Sequence, residues 1–298
     1  MAVHLPELDS PFLVPFDGGF RIGDASTTPL EDIGRKKCEK RLKASVAAMR
    51  ELQRILYASD HHSVLLVFQA MDAAGKDSTI RSVMTGVNPA GCQVVSFKKP
   101  SASELDHDFL WRTAQALPER GRIGIFNRSH YEEVLVVRVH PEYLGGQNIP
   151  GVTGSNVGED LWEERMESIR DHEKHLARNG TLILKFFLNV SREEQKNRFL
   201  RRIDRPEKNW KFNAGDLDER KCWPAYMEAY ESALNETSRP WAPWFSIPAD
   251  DKPYMRMSVA EIVVNALVGL DLEYPVLGED ERSQLGAMRA LLEDEKGE

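Results

Sequence analysis

A short apolar run followed at once by a glycine-bearing loop restricts the fold of this chain more than any other feature. The run is Ser63-Val-Leu-Leu-Val-Phe68, and the loop is Ala70-Met-Asp-Ala-Ala-Gly-Lys-Asp-Ser-Thr79. A run of this length and composition is typical of a strand buried on both faces. The residues from Ser78 to Thr85 then show a helical pattern. A strand, a glycine loop and a helix in this order predict a phosphate-binding loop of the Walker A type.

The loop departs from the standard pattern at both ends. Ala70 stands where the pattern has glycine, and Asp77 stands where it has Ser or Thr directly after the lysine. Gly75 lets the backbone approach a phosphate closely, and Lys76 is placed to reach the transferring group. The alternative interpretation of a lone Gly-Lys pair is a solvent-facing turn.

Asp72 is an unusual residue for such a loop. A carboxylate there would repel phosphate unless a cation lay between them, and Mg²⁺ prefers carboxylate oxygens. Asp72 is therefore a candidate magnesium ligand. The alternative is an aspartate that caps the following turn.

The remaining patterns predict an α/β fold. Candidate strands and helical segments alternate, which implies a parallel sheet with right-handed crossovers, flanked by helices in a three-layer sandwich. The further strands are expected at Gln93–Phe97, Arg122–Phe126, Leu182–Asn189 and Trp244–Ile247. The helices are expected at 32–57, 103–117, 130–140, 160–179, 192–202 and 220–235.

We expect three parts in the chain. Residues 1–30 form an irregular arm, 31–275 a single kinase-like domain, and 276–298 an acidic tail with a helix at 282–292. No run of about 18 apolar residues is present, so a membrane span is not expected. The N-terminus lacks the pattern of a signal peptide, and none of the three cysteines lies in a CxxC pair, which favours a cytoplasmic location.

Charge is unevenly distributed along the chain. The formal net charge is -8, which is a poor match for a protein that wraps nucleic acid. From Arg192 to Lys211, however, eight basic residues stand against four acids, a local net charge of +4. This stretch is a candidate anion-binding segment, and its alternative interpretation is a solvated helix face.

A second candidate strand also ends in polar residues. It runs into Phe126-Asn-Arg-Ser-His-Tyr-Glu-Glu133. Ligands of open parallel sheets bind at the carboxyl ends of strands, so Asn127 and Arg128 should face the phosphate loop. Arginine suits phosphate because its donors are bidentate and its charge is permanent. Glu132 or Glu133 could reach the same metal as Asp72, or could complement the helix dipole.

Several long segments together resemble the second family of polyphosphate kinases. They are the phosphate loop, the stretch from Phe126 to Val139, and Arg205-Pro-Glu-Lys-Asn-Trp-Lys211 with Asp216 and Trp223. The resemblance covers about residues 35 to 270 in the expected order. It implies a P-loop kinase fold with a helical lid, here at about 192–222. It also implies Mg²⁺-dependent phosphoryl transfer between inorganic polyphosphate and AMP or ADP, and a homo-oligomer, either a dimer or a tetramer.

The resemblance also implies roles for individual residues. Asp72, Lys76 and Arg128 would be catalytic, Asp72 and Glu133 would hold Mg²⁺, and Asn127 and Arg138 would lie on the side of the nucleotide acceptor. Many members have aspartate at the position of Asn127. In having asparagine there, this chain resembles the subgroup that accepts both AMP and ADP. The residues expected to bind phosphate or polyphosphate are Ala73, Ala74, Gly75, Lys76, Asp77, Ser78, Arg128, Arg198, Arg201, Arg202, Lys208 and Lys211.

Two other functions fit parts of the same pattern. One is an ATP-dependent nucleotide kinase of the same fold, which would need no long basic lid. The other is a non-catalytic P-loop module that binds a nucleotide, which could dispense with Lys76, Asp72 and Arg128. Neither a nucleic acid nor a membrane is expected as a partner.

Overall fold

A five-stranded sheet forms the centre of the protein. The structure is a computed structural model that describes residues 8–211 and 215–295, apart from the side chain of Lys211. In this part of the chain every adjacent strand pair is parallel, and the strand order is β2-β3-β1-β4-β5. The strands are β1 (Ser63–Gln69), β2 (Cys92–Ser96), β3 (Ile123–Asn127), β4 (Thr181–Asn189) and β5 (Trp244–Pro248). The predicted parallel α/β sandwich is therefore confirmed.

Helices cover the sheet on both faces. The longer ones are α1 (Arg35–Ser59), α2 (Lys76–Val83), α6 (Glu159–Arg178), α7 (Arg192–Ile203), α9 (Trp223–Thr237), α10 (Lys252–Val268) and α11 (Glu279–Asp294). The shorter ones are α3 (Ala102–Leu105), α4 (Trp111–Ala114), α5 (Val136–Val139) and α8 (Gly215–Lys221). Short 3₁₀ segments lie at Pro89–Gly91, His130–Glu133, Pro141–Gly146 and Pro206–Lys211. None of the described helices has the length and apolar character that a bilayer span requires.

The two middle strands carry the core. Every residue of β1 and of β4 is buried, as expected for strands covered on both faces. Phe68 and Phe186 stack at 5.0 Å between ring centroids, and Phe186 stacks in turn on Phe245 at 5.7 Å. Burial of large aromatic side chains supplies most of the stabilisation in such a core.

The two edges of the sheet differ in their cover. Along β5, the arm lies across the strand: the Val14 amide donates to the Trp244 carbonyl (2.9 Å), and the Ser246 amide donates to the Phe12 carbonyl (2.8 Å). At the other edge β2 is half exposed, and Val94 keeps 52% of its surface. The arm therefore blocks one strand edge, where unpaired backbone groups would otherwise remain. The three-part division of the chain remains a prediction.

Two expected helices are interrupted. Between 103 and 117 only α3 and α4 form, because the Asp108 side chain accepts a hydrogen bond from the Leu110 amide (2.9 Å) and makes a local turn. Between 130 and 140 a 3₁₀ turn precedes the four-residue α5, and Leu135 at the junction has φ -112° and ψ -80°. The prediction of two continuous helices was wrong at both places.

Helix α10 was not predicted. Its 17 residues are apolar on nearly all sides, and ten of them are buried against α1, α2 and the sheet. A helix that is surrounded by protein shows no one-sided periodicity in its sequence. The pattern that identified the other helices was therefore missing here.

A buried ion pair ties β4 to the turn after β3. The Lys185 ammonium group donates to Glu173 (2.6 Å), to the Tyr131 hydroxyl (2.7 Å) and to the carbonyl of Thr237 (2.8 Å). The Tyr131 hydroxyl also donates to Glu173 (2.8 Å). Because burial favours the neutral amine, it lowers the pKa of Lys185 to about 8 despite the carboxylate beside it. Strand, turn and helices are thus joined through one ammonium group.

We expect Glu173→Gln to destabilise the protein by roughly 3–5 kcal/mol, because it leaves the Lys185 ammonium group buried without a counter-charge. Urea unfolding followed by circular dichroism would measure the loss. Glu167→Gln is the matched control, since Glu167 is exposed on the same helix and should change stability by less than about 0.5 kcal/mol. Equal stability of the two variants would contradict the prediction.

Candidate active site

The loop between β1 and α2 has the backbone of an anion-binding turn. Ala73 (φ +62°) and Gly75 (φ +115°) both lie in the left-handed region, and Gly75 caps the N-terminus of α2. A Cβ atom at position 75 would lie 3.3 Å from Cε of Met255, and the φ value itself disfavours any residue with a side chain. The predicted glycine requirement is therefore met at this position. The amides that open α2 offer donors to an anion.

Arg198 on α7 holds the loop from behind. Its Nη1 donates to the carbonyls of Ala73 (3.2 Å) and Ala74, and its Nη2 donates to those of Ala249 and Asp250 (3.1 Å). Its Nε donates to Glu194 at 2.8 Å. The side chain is only 3% exposed. Arg198 therefore braces the loop with donors that are already used within the protein, and its expected role in binding the phosphate chain stays a prediction.

Three charged side chains meet in front of the loop. The Lys76 ammonium group donates to the Ala70 carbonyl (2.5 Å), and Nη2 of Arg128 donates to Oδ1 of Asp72 (2.8 Å). Arg128 has φ +66°, and its amide donates to the carbonyl of Phe68 (3.1 Å). This turn carries the arginine from the end of β3 toward the end of β1. The sequence-based expectation that Arg128 faces the loop thus agrees with its position.

The surroundings of these groups shift their pKa values. Burial, and after it the positive charge of Arg128, lower the pKa of Lys76 to about 8. The carboxylate of Glu132, 3.5 Å from Nη1 of Arg128, raises the pKa of that arginine. Burial also raises the pKa of Glu132. Burial therefore disfavours the charged form of Lys76, and an incoming anion would stabilise that form.

The loop lines a cleft of about 1080 Å³. Twelve Lys or Arg side chains line the cleft against five acids, whereas the chain as a whole carries -8. The predicted residues that line it are Asp72, Ala73, Ala74, Gly75, Lys76, Asp77, Ser78, Asn127, Arg128, Arg198, Arg201, Arg202 and Lys208. A cavity of this size and charge fits an extended or multiply charged anion.

The predicted lid supplies one wall of the cleft. Arg201 is half exposed and reaches Glu194 at 2.5 Å, while Arg202 lies 3.6 Å from Asp216. Lys208 also lines the cleft. The side chain of Lys211 lies outside the described residues, so its expected role stays a prediction.

Glu133 lies away from the loop. Its carboxylate is 3.3 Å from Arg165 and 3.7 Å from Arg112, accepts a hydrogen bond from Gln147 (2.7 Å), and does not line the cleft. The expectation that Glu133 shares Mg²⁺ with Asp72 is therefore not supported. In the 3₁₀ turn the two glutamates point to different sides, and Glu132 is the one beside Arg128. The helical spacing assumed from the sequence did not distinguish them.

Glu133 instead supports the cleft wall indirectly. Arg112, which it neutralises, donates to the carbonyl of Lys98 at 2.8 Å. Lys98 and Lys99 line the cleft at the end of β2. Arg138 also lies outside the cleft lining, where it donates to Ser232 (2.9 Å) and Glu159 (2.7 Å). Its expected place on the acceptor side is not supported either.

Asn127 contacts the first turn of α2. Its Nδ2 donates to Oδ1 of Asp77 at 2.7 Å, so the ends of β3 and β1 are joined at the cleft floor. An aspartate at 127 would instead bring two carboxylates together there. Asn127 and Asp77 both line the cleft, as expected.

Sequence reasoning missed several basic residues of the cleft. They are Arg35, Arg81, Lys98, Lys99 and Lys252, while Arg205 belongs to the basic segment that the sequence had already singled out. Lys98 and Lys99 follow β2, and Asp250, Asp251 and Lys252 follow β5. The rule that ligands bind at the carboxyl ends of strands would have found both groups, had it been applied to all the strands.

Comparison with known proteins agrees with this geometry. Residues 32–274 match the family model described as Polyphosphate kinase 2. The ADP-polyphosphate phosphotransferase of Rhodopseudomonas palustris is 55% identical over 84% of this chain and 86% of its own length. The AMP/ADP-polyphosphate phosphotransferase of Meiothermus ruber is 45% identical over 87% and 92%. The crystal structure of polyphosphate kinase 2 from Arthrobacter aurescens has a TM-score of 0.85 at 36% identity, covering 98% of this chain and 99% of that one.

The fold and the cleft together define a phosphotransferase with a P-loop kinase-like architecture. The match over most of the chain then gives the particular family. This chain belongs to the polyphosphate kinase 2 family. The expectation from the sequence motifs is confirmed, and a non-catalytic P-loop module is set aside.

We expect kcat/KM to fall as pH rises through about 8, because free-enzyme Lys76 loses its proton there and no longer attracts phosphate. Lys252, whose pKa burial also lowers to about 8, lines the same cleft. The Lys252→Arg variant separates the two groups, since arginine keeps its charge. The fall should persist in that variant, and its disappearance would assign the titration to Lys252 instead. Initial rates between pH 6.5 and about 9.5 would measure it.

Proposed function

We propose that this protein transfers phosphoryl groups from inorganic polyphosphate to ADP and to AMP, and in the reverse direction. The observation that carries the proposal is the cleft in which Lys76, Arg128 and a row of further cations surround the phosphate loop. Membership of the polyphosphate kinase 2 family supports the donor. Two relatives support the acceptors, one named as an ADP-polyphosphate and the other as an AMP/ADP-polyphosphate phosphotransferase.

Phosphoryl transfer would depend on the positioning of the two substrates and on charge stabilisation rather than on covalent catalysis. The two phosphates must lie in line, and charge on the equatorial oxygens must be neutralised. The Lys76 ammonium group would exchange the Ala70 carbonyl for an oxygen of the moving group, and Arg128 would donate to the same group. The acceptor is already an ionised phosphate, so no general base is needed.

The site has the chemistry to hold Mg²⁺ together with substrate. Asp72 is the carboxylate in front of the loop, and the part of the chain described holds no cluster of three potential metal-ligating side chains. Mg²⁺ is commonly bound by one or two carboxylates, water and substrate phosphates, which fits a single aspartate. When bound, the ion would supply charge neutralisation between donor and acceptor. Asp72 would then divide its two oxygens between the ion and Arg128.

Further features of the proposal follow the family. We propose a cytoplasmic location, in line with free Cys38, Cys92 and Cys222, and a homo-oligomer, either a dimer or a tetramer. Acceptance of AMP as well as ADP is linked to Asn127, whose amide holds Asp77 without adding a negative charge to the cleft floor.

The test is nucleotide analysis of the purified protein with Mg²⁺, long-chain polyphosphate and either AMP or ADP, with no ATP added. ATP from ADP, and ADP followed by ATP from AMP, would support the whole proposal. ATP from ADP alone would reject the acceptance of AMP. A folded protein that is inactive with polyphosphate but phosphorylates AMP from ATP would be an ordinary nucleotide kinase.

We expect Lys76→Met to lower kcat by at least about a hundredfold, since it removes the positive charge nearest the transferring group. The fold should be retained because methionine suits the buried part of the side chain. Stopped assays of ATP formation and an unchanged thermal melting curve would measure both effects. Near-normal turnover would contradict the role of Lys76.

We expect Arg201→Ala to raise the KM for polyphosphate several-fold and to leave the KM for ADP nearly unchanged. Arg201 is half exposed on the cleft wall, and Arg198 keeps Glu194 as its partner when Arg201 is removed. Lys196→Ala is the matched control, because Lys196 is exposed on the same helix but does not line the cleft. A change confined to the KM for ADP would show that this wall binds the nucleotide.

A further inference from the structure

Helix α1 carries a charge opposite to that of the whole protein. Between Arg35 and Ser59 it has eight Lys or Arg residues and two Glu residues, a net charge of +6 in a chain whose net charge is -8. Only Arg35 of these residues lines the cleft. The remaining positive charge lies outside the site described above, and nothing in the proposed transfer step uses it.

The charge forms a stripe along one face of the helix. The buried face of α1, with Cys38, Met49 and Leu56, packs toward the protein, largely against α10. Side chains at steps of three and four residues share a face. On the outer face such steps align five exposed basic residues, Lys36, Lys40, Lys43, Arg50 and Arg54, which we call the α1 stripe.

The α1 stripe is only partly neutralised by the described part of the chain. The described residues place no carboxylate within ion-pair distance of Lys36, Lys40 or Lys43, while Arg50 and Arg54 share Glu51 at 3.6 and 3.1 Å. Like charges four residues apart destabilise a helix, and cations in its first turn oppose the helix dipole. An anion along this face would relieve both effects.

The α1 stripe begins one residue along the helix from a residue that lines the cleft. Arg35 lines the cleft, and Lys36 begins the stripe at the next residue of the same helix. From Lys36 to Arg54 the stripe extends about 27 Å at 1.5 Å per residue. A linear anion that leaves the cleft past Arg35 would therefore meet a row of cations.

We propose that the α1 stripe binds the distal part of a long polyphosphate chain whose reacting end lies in the cleft. This inference rests on the proposed function, and it adds a docking surface for the donor outside the transfer site. The stripe would retain the polymer between transfers and would thereby favour long chains over short ones. Its contribution is electrostatic, because no shape-specific pocket is needed to hold a flexible polyanion.

The chemistry of the face favours this occupant over other anions. Single-stranded nucleic acid usually needs aromatic side chains on which bases stack, and the face between Lys36 and Arg54 has none. A membrane-surface helix needs large apolar residues beside its cations, whereas Ala44 and Ala47 are the exposed apolar residues here. A long inorganic polyanion requires only the charge and the length.

The test compares donors of different length. We would prepare Lys36→Gln/Lys40→Gln/Lys43→Gln, in which glutamine keeps a high helix propensity. With saturating ADP at low ionic strength, KM for long-chain polyphosphate should rise about tenfold, and kcat should stay unchanged. KM for tripolyphosphate should not change, since it is too short to reach the stripe. The slope of log KM against log salt for the long chain should fall by about 2.

The matched control removes three cations elsewhere. The control variant is Arg122→Gln/Arg178→Gln/Arg282→Gln. Arg122 and Arg178 lie just before the amino-terminal ends of β3 and β4, and Arg282 lies on α11. This variant should keep the KM for long chains within about twofold of the unmodified protein. Equal losses in both triple variants would show a net-charge effect and overturn the inference.

Two other results would also overturn it. One is an equal rise in KM for the long chain and for tripolyphosphate, which would make the α1 stripe part of the transfer site. The other is unchanged donor kinetics together with lost binding to vesicles of anionic lipid or to single-stranded DNA. If the unmodified protein used no polyphosphate at all, the proposed function itself would fail, and the two failures would be distinct.

Discussion

The hydrogen bonds of Arg198 are the interaction on which the rest of the site depends. One guanidinium group joins the phosphate loop, α7 and the segment between β5 and α10. In a trans peptide the N–H points opposite to the preceding carbonyl, so holding the Ala74 carbonyl aims the Gly75 amide away from Arg198. A buried arginine can do this only when all its donors are satisfied, because an unpaired buried charge is costly. Arg198 thereby fixes the backbone of the phosphate loop from within the protein.

A second buried cation supports the neighbouring strand end. Lys185 holds Tyr131, which lies three residues after Arg128, and Glu173 closes the network. Arg128 itself has an unfavourable left-handed backbone conformation, which persists only where the surroundings fix it. The hydrogen bond from the Arg128 amide to the Phe68 carbonyl on one side and the Tyr131 network on the other supply that support. Both strand ends of the candidate active site are therefore positioned by hydrogen bonds from buried cations.

The sequence was most informative where one local pattern decides the structure. The apolar runs of β1 and β4 and the glycine at 75 needed no knowledge of the rest of the chain. It was least informative where tertiary contacts decide: α10 is apolar all round, and the turn at His130–Glu133 is 3₁₀ rather than α-helical. Because a 3₁₀ turn has fewer residues per turn than an α-helix, Glu132 and not Glu133 points toward Arg128. The sequence also could not predict which basic side chains are free to bind an anion. The carbonyls that Arg198 contacts come from segments far away in the sequence, so no local pattern reveals them.

The acidic composition of the chain is compatible with an anionic substrate because the charges are segregated. The cleft lining and α1 are strongly positive, so the negative charge is spread over the remaining surface. A multiply charged anion is then repelled from most of the protein and attracted to one region, which raises the rate of productive encounters. Product release benefits as well, since an excess of cations over the whole surface would hold the polymer non-specifically. Net charge therefore says little about the ligand of this fold, whereas the position of each charge relative to the carboxyl ends of the strands says a great deal.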